Sequence, residues 1–126
     1  MAIPYRFTPD VIKSVVPKNV IGTYALGNDE QGQFSIKYVG RSDISLRKRL
    51  LTHNYLFKYS YFIFFCTKTK YEAFIIESKW WHDCKNSNEQ LVNVIHPDSP
   101  SQMNVVCPYC QFKMSIRDII PNIKAG

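Results

Sequence analysis

The chain of 126 residues has no apolar run of the ~18 residues that a bilayer crossing needs, and its first ten residues lack the apolar core of a signal peptide. A cytoplasmic protein without a membrane span is the expectation. Acidic residues are scarce, with 10 Asp and Glu against 16 Lys and Arg; the resulting net charge of +6 fits a polyanionic partner but does not distinguish nucleic acid from a membrane surface. Cysteine is used four times, at positions 66, 84, 107 and 110. In a reducing compartment such thiols serve metal ligation or burial rather than disulfides. Internal repeats and low-complexity tracts are absent. A hydrophobic content of 45% excludes a wholly disordered chain, and the length fits one domain with one core.

The remaining charge is unevenly placed. Between Lys37 and Lys58 the chain sets Lys37, Arg41, Arg47, Lys48, Arg49 and Lys58 against a single acid, Asp43. Arg41, Arg47, Lys48 and Lys58 are therefore candidates for contact with a phosphate backbone; the competing reading is a solvated helix face.

Local patterns predict six elements. Thr8 as a cap and Pro9 in the first turn open a short amphipathic helix over 8–16, which Pro17 ends. The β-forming run Val20–Leu26 and the alternating run from Phe34 to Tyr38 flank the turn-prone stretch Gly27–Gln33, so a hairpin is predicted. Ser45 caps a basic helix over 45–54. The aromatic run Tyr59–Thr67 suits a strand buried on much of both faces, with Cys66 inside it. Thr69 and Glu72 form a capping box for a helix through Trp81 or beyond, with Ala73, Ile76 and Trp80 as its core stripe. From Lys85 onward, Asn, Ser and scattered Pro predict an irregular tail. The expected architecture is α/β (α+β), a small three-stranded, largely antiparallel sheet flanked by helices. Residues 1–88 form the domain, and 89–126 a tail packed on it.

This order of elements brings a particular set of side chains forward. Gly22-Thr23-Tyr24 lies on one hairpin strand, Tyr38-Val39-Gly40 on the next, Arg49 and His53 on the basic helix, and Glu77 on the last helix. Any two of these have plain explanations: adjacent tyrosines form ordinary cross-strand pairs, and a lone histidine is usually a helix surface residue. The ordered set resembles the GIY-YIG endonuclease superfamily over residues 20 to about 84, with Asn93 matching an asparagine that often follows. Thr23 stands where Ile or Val is usual, and Arg49 lies one residue further from Gly40 than the commonest spacing, which leaves Arg47 as a substitute.

The resemblance implies a metal-dependent nuclease hydrolysing DNA phosphodiester bonds, in repair, restriction or mobile-element biology. Its catalytic residues would be Tyr24, Tyr38, Arg49, His53 and Glu77. The chemistry is consistent on its own terms. A carboxylate such as Glu77 holds Mg²⁺ or Mn²⁺, hard ions that prefer oxygen. The planar guanidinium of Arg49 matches a phosphoryl oxygen. A tyrosine accepts the proton of attacking water if cationic charge lowers its pKa from ~10. Tyr24 is the expected base and Tyr38 its partner, with exchange of these roles open; His53 is expected to hydrogen-bond a tyrosine or the phosphate, or to take the proton itself.

The Cys107-Pro108-Tyr109-Cys110 knuckle offers two thiolates, and His96 with Cys84 or His82 would complete a tetrahedral zinc site of structural kind. Simple packing of the knuckle is the competing reading. Glu72 is read as a capping residue. No helix-turn-helix or other recognition element is visible, so a homodimer or a targeting partner is expected to direct the enzyme to DNA. Two other classes remain open: a non-catalytic nucleic-acid-binding module with the same fold, and a small zinc-dependent protein interaction domain.

Overall fold

The structure is a computed structural model, and it describes residues 3–87, 91–93, 96–101, 103 and 105–110. Its elements in chain order are β1 (Tyr5–Arg6), α1 (Pro9–Val15), β2 (Ile21–Glu30), β3 (Gln33–Ser42), α2 (Leu46–Leu51), β4 (Tyr61–Thr67) and α3 (Lys70–Asn86). The strands form one antiparallel sheet in the order β1-β4-β2-β3. The α+β class agrees with expectation, but the sheet has four strands instead of three. The addition is β1, whose two residues pair with Tyr61 and Phe62. Two residues are too few to show a period of two, so the sequence pattern conceals this strand.

The hairpin is longer than expected. Asn28, Asp29 and Glu30 continue the ladder opposite Ser35, Phe34 and Gln33, after a register shift between Leu26 and Gly27. The reversal falls on Gln31 and Gly32, with φ of 57° and 80°. Two successive positive φ values suit the tight turn that matches strand twist.

Alternation along β2 builds two cores. Tyr24 and Leu26 face α1 and α2, where they join Phe7, Ile12, Val16, Leu46, Leu50 and Phe62. Ala25 points the other way, toward Val39, Ile63, Cys84 and Leu91 on the α3 side. As the central strand with helices on both faces, β2 is buried from Gly22 to Gly27. The final strand is less covered than expected: Phe65 and Cys66 are exposed, because β1 accompanies β4 only as far as Phe62. On α3, Ala73 is buried, whereas Ile76 and Trp80 are only half-buried and Phe74, Glu77, Ser78, His82 and Cys84 go inside. Polar groups therefore occupy part of the stripe that apolar periodicity predicted.

The described part of the tail follows the free edge of β3. Val92 N–H donates to the Lys37 carbonyl at 2.6 Å, and Asn93 exchanges two hydrogen bonds with the Val39 backbone, at 3.3 and 2.7 Å. Trp81 Nε1 donates to the Asn93 carbonyl, and Leu91, Pro100 and Cys107 are buried. These contacts cover β3 through Val39 and leave Gly40 to Ser42 beside an opening. Residues 111–126, the rest of the tail expected to be irregular, lie outside the described residues.

Candidate active site and metal centre

A polar pocket of about 210 Å³ opens at the Gly40 end of the hairpin, lined by Tyr24, Tyr38, Gly40, Arg41, Asp43, Arg49 and Glu77. Four of the five expected catalytic side chains thus share one cavity, supplied by β2, β3, α2 and α3. The two tyrosines are diagonal neighbours, Tyr24 opposite Gly40 and Tyr38 opposite Leu26; their rings stack at 6.1 Å. A side chain at Gly40 would destroy this arrangement, since a Cβ there would lie 2.6 Å from both the Tyr24 Cζ and hydroxyl and 2.9 Å from Tyr38 Cε1. Gly22 serves packing instead, because a Cβ would meet the Phe65 carbonyl and Leu46. Thr23 is buried, and its hydroxyl donates to the Ala73 carbonyl at 2.7 Å, tying β2 to the first turn of α3. That bond accounts for a polar residue where an aliphatic one is usual.

Helix α2 starts on Ser45, whose hydroxyl accepts from the Lys48 N–H, and buries Leu46 and Leu50. Arg49 then projects toward the hairpin, and its Nε donates to the Tyr24 hydroxyl at 3.2 Å. Arg47 points the other way, donating to the carbonyls of Val16 and Lys13 at the end of α1, 2.7 Å each. The choice between the two arginines therefore falls on Arg49.

The tyrosine nearest Arg49 is not activated by it. Burial raises the pKa of Tyr24 above its solution value, Tyr38 adds to that rise, and Arg49 offsets only part. Arg49 by itself does not produce the lowering expected of a base, an expectation that counted the divalent ion as well. His53 lies beyond the end of α2, yet its ring still packs edge-on against Tyr38 at 5.0 Å and Tyr24 at 5.5 Å. Its Nδ1 accepts the Tyr55 N–H at 3.1 Å. That bond assigns the proton to Nε2, a buried donor with no partner among the described residues. Burial, reinforced by Arg49, pushes the His53 pKa down to about 4, so the ring is neutral at physiological pH. Its one accepting nitrogen is engaged, which makes His53 a donor rather than the proton acceptor considered above.

Glu77 is buried in the helix and accepts from Arg41 Nη1 at 2.6 Å. Burial pushes its carboxyl up to about 7, against the pull of the guanidinium. Asp43 was missed as a site residue; it lines the pocket and accepts from Arg41 Nε at 2.8 Å. As the lone acid in a basic stretch it was the available signal. Of the four candidate DNA contacts, Lys48 and Lys58 are exposed, with Lys58 Nζ 4.9 Å from the centre of the Tyr55 ring. Arg41 and Arg47 are turned into the protein.

A second cluster joins α3 to the tail. His82, His96, Cys107 and Cys110 offer ligand atoms all within 4.8 Å of one another, a set suited to a tetrahedral metal ion, whose N and S ligands lie about 3.5 Å apart. His96 Nδ1 lies 2.8 Å from the Pro97 carbonyl, an acceptor, so Nδ1 carries the proton. The lone pair is left on Nε2, which is buried and without a partner among the described residues. Of the two proposed fourth ligands the structure selects His82, whose Nε2 lies 3.1 Å from Cys110 Sγ. Cys84 lies two residues further along α3 and packs in the core with Ala25 and Val39.

Comparisons with family models, curated proteins and solved structures return no match to this chain. No helix among the described residues is long and apolar enough to cross a membrane.

Proposed function

We propose that the chain is a metal-dependent endonuclease that hydrolyses DNA phosphodiester bonds with a GIY-YIG-like active site. The observation that carries this reading is the convergence of Tyr24, Tyr38, Arg49 and Glu77 on one polar pocket. In that role Glu77 would hold a single Mg²⁺ or Mn²⁺, through a carboxylate oxygen of the kind these hard ions prefer. When bound, the ion supplies charge to stabilise the departing 3′-oxygen.

The protein groups divide the remaining work. Arg49, steadied by the Tyr24 hydroxyl, presents a guanidinium to a non-bridging phosphoryl oxygen. Tyr24 stays protonated and orients; Tyr38, half-buried at the pocket, is the side chain that attacking water would reach, and it would take the water's proton only in its ionised phenolate form. The unpartnered Nε2–H of His53 is a further donor for water or phosphate. Lys48 and Lys58 extend the positive surface toward flanking phosphates. Zinc at His82, His96, Cys107 and Cys110 would be structural, tying the tail to α3.

The test is nicking of supercoiled plasmid in Mg²⁺ or Mn²⁺, comparing the wild type with Glu77→Ala. Nicking by the wild type alone is the expected result. A second reading, a DNA-binding module without activity, is favoured by one observation: Arg41 already compensates the Glu77 carboxylate. Duplex binding with no metal-dependent nicking by the wild type would select that module and reject the enzyme.

A further inference from the structure

We infer that Arg41 is a positioning residue that competes with the divalent ion for Glu77, so that the pocket's own guanidinium limits how tightly the ion binds. This rests on the reading of Glu77 as the ion's ligand.

Three contacts fix Arg41 in the competing position. Nη1 donates to Glu77 Oε1 at 2.6 Å and to the Asp98 carbonyl, also at 2.6 Å, while Nε donates to Asp43 Oδ1 at 2.8 Å. The guanidinium carbon lies 5.4 Å from the centre of the Phe74 ring. Anchors from the turn after β3, from α3 and from the tail therefore hold one cation against the carboxylate. The side chains of Arg41 and Glu77 are only 12% and 9% exposed. Water screens such a pair poorly, so it is stronger than the surface ion pairs of this protein.

Charge balance leads to the same conclusion. Arg41 and Arg49 face Asp43 and Glu77 in the pocket, two positive groups against two negative. An added Mg²⁺ meets no net negative charge, and it must share or displace the guanidinium at Oε1. Dedicated divalent sites gather a surplus of carboxylates. Here the local surplus around Glu77 is cancelled by Arg41. Arg49 is not the competitor, because its Nε is held by the Tyr24 hydroxyl.

The experiment is calorimetric titration of the full chain with Mg²⁺ at pH 8, a hard cation that leaves the Cys and His cluster alone. Arg41→Gln is expected to bind Mg²⁺ on the order of tenfold more tightly than the wild type, a difference of about 1.4 kcal/mol. Arg41→Lys keeps the charge and stays near the wild type. Lys18→Gln removes an exposed positive charge outside the pocket and leaves Mg²⁺ affinity unchanged. Glu77→Gln abolishes binding. Thermal melts verify that each variant is folded; if Arg41→Gln is not, Arg41→Ala and the lysine variant carry the comparison. Unchanged or weaker Mg²⁺ binding by Arg41→Gln, with binding lost in Glu77→Gln, overturns the competition while leaving the ion site intact. Wild-type Mg²⁺ affinity in Glu77→Gln removes the ion site itself, and the inference with it.

Discussion

Replacing Gly40 with alanine isolates the pocket's geometry from the stability of the fold. The new methyl would lie 2.6 Å from the Tyr24 ring tip and hydroxyl and 2.9 Å from Tyr38. Carbon atoms in good contact sit ~3.5–4 Å apart, so both rings must retreat by about 1 Å. Tyr24 is fully buried and stacked between Tyr38 and the edge of His53, which leaves the ring little room to move. Overpacking of this kind costs about 2 kcal/mol, a fall in melting temperature of about 5–10 °C for a chain of this size. The larger effect is on chemistry, because a shift of about 1 Å takes the Tyr24 hydroxyl off Arg49 and lowers nicking on the order of 100-fold. Gly32→Ala supplies the control. It sits at φ 80° with no atom near its Cβ position, so alanine there costs about 1–2 kcal/mol of backbone strain far from the pocket. Melts and plasmid nicking would be measured on both variants. Equal activity losses, or a Gly40→Ala protein that is folded and fully active, would refute the claim that this glycine is required by the two rings.

Three further outcomes are expected. Loss of the Thr23 hydroxyl in Thr23→Val should cost about 1 kcal/mol in a denaturant melt and leave nicking near wild type, since the bond to Ala73 ties elements together without touching substrate. His53 has a folded pKa of about 4 against 6.5 when unfolded, so its neutral form supports the fold fully above pH 6.5, and that support is lost as pH falls toward 4. About 2 kcal/mol of acid destabilisation should then vanish in His53→Phe, read as a smaller drop in melting temperature between pH 7 and pH 4.5. Native mass spectrometry should find one zinc per chain, kept in Cys84→Ala and lost in His82→Ala; zinc loss in the cysteine variant alone would reverse the ligand assignment.

Much of this arrangement was legible in the residues. Thr8, Ser45 and Thr69 each cap the helix they were expected to start, and the alternation of Phe34, Ile36 and Tyr38 marked β3. The tyrosines, Arg49 and Glu77 were identified by order and reach one pocket. What escaped depends on partners and turn positions that local composition does not name, some of them distant in sequence. Asn28, Asp29 and Glu30 have turn chemistry, but the ladder carries them because Gln31 and Gly32 take the reversal. Arg41 and Arg47 have the charge of phosphate contacts, but nearby carboxylates and carbonyls hold them inside. Local composition indicates that an arginine is charged, and only the fold decides which anion it meets. His53 is the mixed case, correctly placed beside the tyrosines but carrying a hydrogen-bond role that its Tyr55 contact reverses.

The position of Asp98 has a mechanical consequence. Its carbonyl grips Arg41, and it stands two residues after His96, a member of the His and Cys cluster. The same short segment thus has one end beside Cys107 and Cys110 and rests at the other on the guanidinium beside Glu77. Were a metal ion to join His96 to the two cysteines, its removal would slacken the support under Arg41, so a clasp remote from the tyrosines would help to set the shape of the cavity they line.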